Sequence, residues 1–381
     1  MVDFQTQTRL HGLGYRHTPA KRAPLLREIH RDHKWISPER RTLAHNCRHP
    51  VMQDHEDRRI WEASLFADGL RKTCESFDKM HIKEARKPDK KQPDKLLFNV
   101  GFRGSSKGNF YYPRGLAINS TGDIHIADAK NHRLQIFNSH GVLKQVIGKR
   151  GKSPREFHEP SGVGIMPNDD IVVADTKNKR VQVFDVEGKY KFLFNVTEEP
   201  FDVACDSFYN VAISTFDGSV ELYRRGGKLF NRFSVSANKN PVYLTVNDKG
   251  EILTSDPYEQ MVKYFNHRGE VIYKFQPVAN ADGLSFFNAG LCVNPLGQVI
   301  VADCVNHTVN LFSERGQLLL QLAGPTDDVG AAQTCMIGPE GHLVVTEYTS
   351  NGNHCLKIFR YRDCECHPHR PSSSKRATPI P

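Results

Sequence analysis

Six times between residues 113 and 361 the chain returns to one pattern, and this internal repeat restricts its fold more than any other feature. The repeats open at Pro113, Pro160, Pro200, Pro241, Asn288 and Ala332, each with a short apolar segment, at intervals of 47, 40, 41, 47 and 44 residues. A unit of that length accommodates four strands, the size of one propeller blade. Each repeat reads as strand, tight turn, strand, turn, strand, tight turn, strand. Gly122, Gly250, Gly297 and Gly341 occupy the first tight turn, with Asp169 and Asn210 expected in the same slot of repeats two and three. These are residue types that tolerate positive φ in a short hairpin. A β-branched second strand follows, as in 124–128, 171–175 and 299–303. The third strand alternates apolar and polar residues (134–137, 181–184, 309–312, 356–359), the period of two of a half-buried strand. Gly141, Gly188, Gly269 and Gly316 then mark a second hairpin.

The sixth repeat runs out after its third strand, at Tyr361, whereas a strand-like segment at 96–101 precedes the first repeat and resembles residues 192–197, the last strand of repeat two. That orphan segment can supply the fourth strand of the last blade and close the ring. The expected fold is therefore all-β: a six-bladed propeller over 96–361, its N-terminal strand closing the last blade. Residues 1–95 read as a basic, largely disordered extension with a helix near 56–87, and residues 362–381 as a disordered tail.

The formal net charge is +9. Residues 1–95 hold 21 Lys and Arg against 14 Asp and Glu, residues 362–381 hold 4 against 2, and residues 96–361 hold 27 against 27. The basicity lies in the flanks, which weakens the case for a nucleic-acid-binding core. Within the neutral propeller, however, residues 103–155 carry ten basic and two acidic side chains. No apolar run of membrane-spanning length occurs, and the first residues lack the apolar region of a secretory signal. With nine unevenly spread cysteines, a reducing, cytoplasmic setting is expected.

The runs 128–137, 175–184 and 303–312, each opening Asp-x-x-Asn, are similar to the signature of NHL repeats, as are the interblade pieces 108–113 and 157–160. The ending 352–361 resembles the end of the propeller in tripartite-motif NHL proteins. The resemblance implies a propeller that recruits proteins for ubiquitination or binds single-stranded RNA. It would also imply an N-terminal RING, B-box and coiled coil. Residues 1–95 hold only Cys47 and Cys74, too few for the two tetrahedral zinc sites of a RING, so no ligase activity of the chain itself is expected.

In a propeller blade the interblade loop and the turn between the second and third strands open on one face. That face is expected to present Tyr112, Arg114, Lys130, His132 and Arg133 from blade 1, and Arg155, His158, Lys177 and Lys179 from blade 2. Tyr258, His307 and Tyr348 would follow further round. Cations with aromatic rings suit unpaired nucleic acid, and Tyr with Arg equally suits a protein interface. A protein partner is the leading expectation and single-stranded RNA the alternative; a propeller hydrolase is remote. The sets Asp128/Asn131, Asp175/Asn178 and Asp303/Asn306 recur around the ring, so a structural role in the turns is expected of them rather than a metal site. The inner strands are apolar, with Asp202 the clearest carboxylate nearby; no catalytic residues and no cofactor are expected. Cys364, Cys366, His367 and His369 form a weak zinc candidate with cramped spacing.

Overall fold

The computed structural model of the chain describes residues 95–277, 288–349 and 352–361. The extension, its expected helix at 56–87, and the tail with Cys364, Cys366, His367 and His369 lie outside the described residues. The described strands form six four-stranded antiparallel sheets, one per repeat. The inner strands are Pro113–Ile118, Pro160–Ile165, Pro200–Cys205, Tyr243–Val246, Asn288–Val293 and Ala332–Ile337. Each lies against the inner strands of both neighbouring blades, blade 6 against blade 1 included, so the ring is complete. Blade 4 departs from the expected start: its inner strand begins at Tyr243, two residues after Pro241.

The closing strand is Leu96–Val100. It pairs antiparallel with His354–Arg360, the third strand of blade 6, with Asn99 opposite Lys357 and Val100 opposite Leu356. Blade 6 thus takes three strands from the end of the propeller sequence and one from its beginning.

Burial is distributed over the seams. Each of the six apolar clusters joins two neighbouring sheets: Leu134, Ile136 and Phe157 meet Val163, Val173 and Phe184 between blades 1 and 2, and Leu116, Ile126 and Phe110 meet Val344, Leu356 and Ile358 between blades 6 and 1. Seam packing explains the glycine at the third position of inner strands. A Cβ on Gly115 would stand 2.2 Å from the Ser161 carbonyl oxygen, and one on Gly162 would stand 2.7 Å from the Asp202 Cα. Backbones that approach so closely exclude any side chain.

The register between inner and second strands slips just after the first inner residue, between Pro113 and Leu116 in blade 1 and between Pro160 and Val163 in blade 2. Such bulges re-aim the side chain of the extra residue. The residues released are Arg114 and Ser161.

One turn differs from its expected form. In blade 3 the positive-φ residue is Tyr209 (φ 63°), not Asn210, whereas Asp169 (φ 61°) holds the slot as read. Asn210 lies one step on, where its amide nitrogens bind both oxygens of Asp206, at 2.8 and 2.7 Å. Tyr209 carries Arg225 over its ring at 4.5 Å, a contact that accompanies the strained backbone.

Candidate binding face

The loop face is assembled by a repeated polar network. In blade 1, Asp128 Oδ1 accepts the Tyr111 N–H at 2.7 Å, and Oδ2 accepts from Asn131 (2.9 Å), Arg133 Nε (2.8 Å) and Gln135 (3.1 Å). The rest of the Arg133 fork donates to the carbonyls of Ser105, Ser106 and Asn109 in the preceding interblade loop. Blade 2 repeats the arrangement: Asp175 accepts from His158 N, Asn178, Arg180 and Gln182 at 2.7–3.2 Å. Arg180 in turn donates to the carbonyls of Lys152, Ser153 and Glu156. The carboxylates therefore pin turn to loop, and with them the residues that the loop displays. Arg133, expected as a surface cation, is drawn inward by this network and is buried. Its guanidinium fork suits a carboxylate and several carbonyls at once.

Later blades vary the theme. Asp303 of blade 5 takes the Val305 and Asn306 N–H groups and the Asn306 amide, but Thr308 stands where the arginine would be. Blade 6 substitutes Glu347, which accepts the Gly330 N–H at 2.8 Å and pairs with Lys357 at 3.1 Å. Burial holds the Glu347 carboxyl above its ordinary range despite that ammonium.

Two imidazoles lock neighbouring blades together. His132, at φ 56°, accepts the Glu159 N–H on Nδ1 at 3.1 Å across the seam to blade 2. His354 accepts the Tyr112 N–H in the same way at 3.1 Å across the seam from blade 6 to blade 1. Both donors belong to positive-φ residues, Tyr112 (61°) and Glu159 (54°), each just before an inner-strand proline. Burial lowers the pKa of both imidazoles, which favours the neutral acceptor form. His354 was not among the expected face residues. Its Asn353-His354 pair matches Asn131-His132, but the blade 6 turn is longer and displaces the match.

Around His354 the rings converge. Tyr111 stacks on it at 5.6 Å and 18°, Tyr112 lies at 4.9 Å, and Arg103 sits over Tyr111 at 5.3 Å. Tyr112 also meets Tyr348 edge-on at 5.1 Å. Toward the axis, Tyr348 approaches Tyr243, and burial raises the pKa of both phenols, with buried Arg114 opposing the shift. Phe201 packs on Tyr243 at 5.0 Å, so blades 1, 3, 4 and 6 all contribute rings to one run. Asp202 accepts the Leu244 and Val203 N–H groups at 3.0 and 2.9 Å, joining blades 3 and 4, and burial pushes its pKa up to about 6.

The basic sector is largely paired. Lys130 meets Glu159 at 2.8 Å, Lys177 meets Glu199 at 3.2 Å and Lys179 meets Glu198 at 3.0 Å. His158 lies 5.6 Å from His132, beside these pairs. Arg150, Lys152 and Arg155 stand exposed on the second interblade loop. Tyr258 is exposed on blade 4, and His307, in the blade 5 turn, lines one pocket with Tyr348. Among the described residues no three His, Cys, Asp or Glu side chains are placed to hold a metal ion, and no helix is long and apolar enough to cross a membrane.

Residues 110–137, 157–184 and 289–310 match the NHL repeat. Mouse tripartite motif-containing protein 3 is 35% identical over 65 residues, 17% of this chain and 9% of that protein. The Drosophila melanogaster protein brain tumor is 27% identical over 183 residues, 48% of this chain and 14% of that protein. The matched segments thus span a small fraction of these relatives. Among solved structures, the WD40 repeats of RRP9 superpose with a TM-score of 0.52 at 12% identity, covering 69% of this chain and 98% of that one. A Bacteroides thetaiotaomicron protein of unknown function gives a TM-score of 0.54 at 13% identity, covering 68% and 72%. At such identities the structural likeness concerns the fold alone. This chain therefore carries NHL repeats in a six-bladed β-propeller and is similar to the tripartite-motif NHL proteins.

Proposed function

We propose that the loop face of the propeller is a non-catalytic platform that recruits a protein partner in the cytoplasm. The observation that carries this reading is the pairing of Lys130, Lys177 and Lys179 with Glu159, Glu199 and Glu198 beside a cluster of tyrosine and histidine rings. Cations already neutralised within the fold release few counterions from a polyphosphate. Clustered tyrosines with a nearby arginine have the composition of a protein-interface hot spot. Similarity to tripartite-motif proteins supports a role in selecting substrates for ubiquitination.

A second reading, single-stranded RNA recognition, draws on the exposed Arg150, Lys152 and Arg155. Affinity capture from cells, with protein and RNA recovered separately, distinguishes the two. The protein reading expects a partner that is lost in a Tyr111→Ala, Tyr112→Ala variant and retained in an Arg150→Glu, Arg155→Glu variant. Recovery of a defined RNA motif, lost in the arginine variant and retained in the tyrosine variant, would reverse the order.

A further inference from the structure

Three seams of the ring carry a histidine at the same turn position, and they are not filled alike. Between blades 1 and 2, His132 Nδ1 is satisfied by Glu159 N, and the side chains of His158 and Glu159 occupy the seam. Between blades 6 and 1, His354 Nδ1 is satisfied by Tyr112 N, and Tyr111 and Tyr112 fill the space. Between blades 5 and 6 the equivalent pair is Gly330 and Ala331. The register is fixed by the Gly330 N–H, which binds Glu347 as Tyr111 binds Asp128 and His158 binds Asp175. Here the loop takes another course. Ala332 N returns to the Gly330 carbonyl at 2.9 Å, and Ala331 is not among the positive-φ residues.

Two consequences follow from the small residues. A pocket of about 240 Å³ opens on the loop face, bounded by His307, Asp328, Ala331, Glu347 and Lys357. His307 keeps the φ of its counterparts (58°), yet its Nδ1 is buried and without a hydrogen-bond partner. The volume falls below the roughly 300–1,000 Å³ of pockets for drug-sized ligands, and matches one inserted side chain. The charge is also one-sided. Lys357 Nζ lies 3.1 Å from Glu347 and 3.2 Å from Asp328, so two carboxylates face one ammonium and one negative charge is left. Asp328 holds that charge at the rim, its side chain 70% exposed. An excess carboxylate calls for N–H donors.

We infer that the seam between blades 5 and 6 is a receptor pocket for one basic side chain, arginine or lysine, of an extended segment of a protein partner. The inference rests on the protein-binding reading of the same face and names the chemistry of one anchor. The inserted group donates to the Asp328 carboxylate, taking the place that neighbouring seams fill with their own loops. An acidic side chain or a phosphate meets the wrong charge there.

The test uses the full chain and blocked Gly-Gly-X-Gly-Gly peptides with X as Arg, Lys or Glu, and inorganic phosphate as a further probe. Binding is read from the amide NMR signals of Gly330 and Asn353. The Arg and Lys peptides are expected to shift these signals saturably, while the Glu peptide and phosphate leave them in place. Ala331→Tyr, which refills the seam, should abolish the shift. Asp328→Asn, at an exposed position that leaves folding intact, should weaken it at least fivefold. Tyr111→Ala, whose ring does not line the pocket, should not alter it, which separates this pocket from the part of the aromatic cluster whose loss tests the broader reading. Absence of a saturable shift with either basic peptide overturns the inference. So does an equal response to the Glu peptide or phosphate, or persistence of binding in Asp328→Asn.

Discussion

Single residues of the loop face divide into those that build it and those that it displays. Asp175 and Arg180 are both buried and commit their polar atoms to one network. Removing one member of a buried pair strands the other, at a cost of about 3–5 kcal/mol. For a domain of this size each kcal/mol lowers Tm by roughly 2–4 °C. Arg180→Ala should therefore lower Tm by roughly 10 °C in a thermal melt. Asp303 has Thr308 where blades 1 and 2 carry an arginine, so Asp303→Ala should cost less, about 1–2 kcal/mol from its turn hydrogen bonds. Equal effects would show that the arginine forks add nothing to the turns. His125 gives a pH prediction. Its imidazole is buried on blade 1, 3.0 Å from the Asp123 carbonyl, and desolvation lowers its pKa to about 4. Between the unfolded value near 6.5 and that folded value the unfolded chain binds more protons, so this contribution to stability is complete above 6.5 and is lost as pH falls. At pH 5 the loss from His125 is about 2 kcal/mol. His125→Gln should show a drop in Tm between pH 7 and pH 5 that is smaller than wild type by roughly 4–8 °C.

Among the elements, the closing strand carries the most topological weight for its five residues. Its Phe98 packs against the seam between blades 6 and 1, and its backbone covers the outer edge of the blade 6 sheet. Phe98→Ala should cost about 2 kcal/mol, in proportion to a half-buried ring. Deleting residues 96–100 exposes both the seam and the edge. It should broaden the unfolding transition and raise dye binding to apolar surface; a melt as sharp and as late as wild type would show that blade 6 stands on three strands. This strand was legible in the sequence because its residues echo those of 192–197, and the repeat count made its role necessary. Periodic elements were read well throughout, since a strand's apolar alternation and a turn's glycine are local signals. The misses arose where a blade changed length or chemistry. Tyr209 held the positive-φ slot next to the better-suited Asn210, because Asp206 claims the asparagine. His354, Glu347 and Lys357 perform in blade 6 the tasks of His132, Asp128 and Gln135, hidden by a longer turn and by different side chains. Arg133 read as a surface cation because composition along a chain does not reveal which carboxylate waits in space.

At the scale of the whole molecule, the propeller sequence holds equal numbers of acidic and basic residues, and the turn lysines of blades 1 and 2 form ion pairs across loops and seams. A face whose turn lysines are paired should hold its partner mainly through its rings. Capture of a protein partner should accordingly weaken less than tenfold between 0.1 and 0.5 M salt, as screening acts mainly on exposed charges. Dependence of several decades, measured by equilibrium titration, would instead point to the exposed arginines of the second interblade loop. The ring also has a history in time. The strand that closes it is the first of the propeller to be synthesised, and its partner at His354–Arg360 is the last. At about 5–20 residues per second, ribosomal synthesis separates the two by roughly a quarter of a minute to a minute. During that interval blades 1 to 5 can gather in order while residues 96–100 must stay unpaired, holding Leu96, Phe98 and Val100 without their seam. The nascent chain is thus an open arc with one sticky end, and its dependence on chaperones should peak just before the last strand emerges.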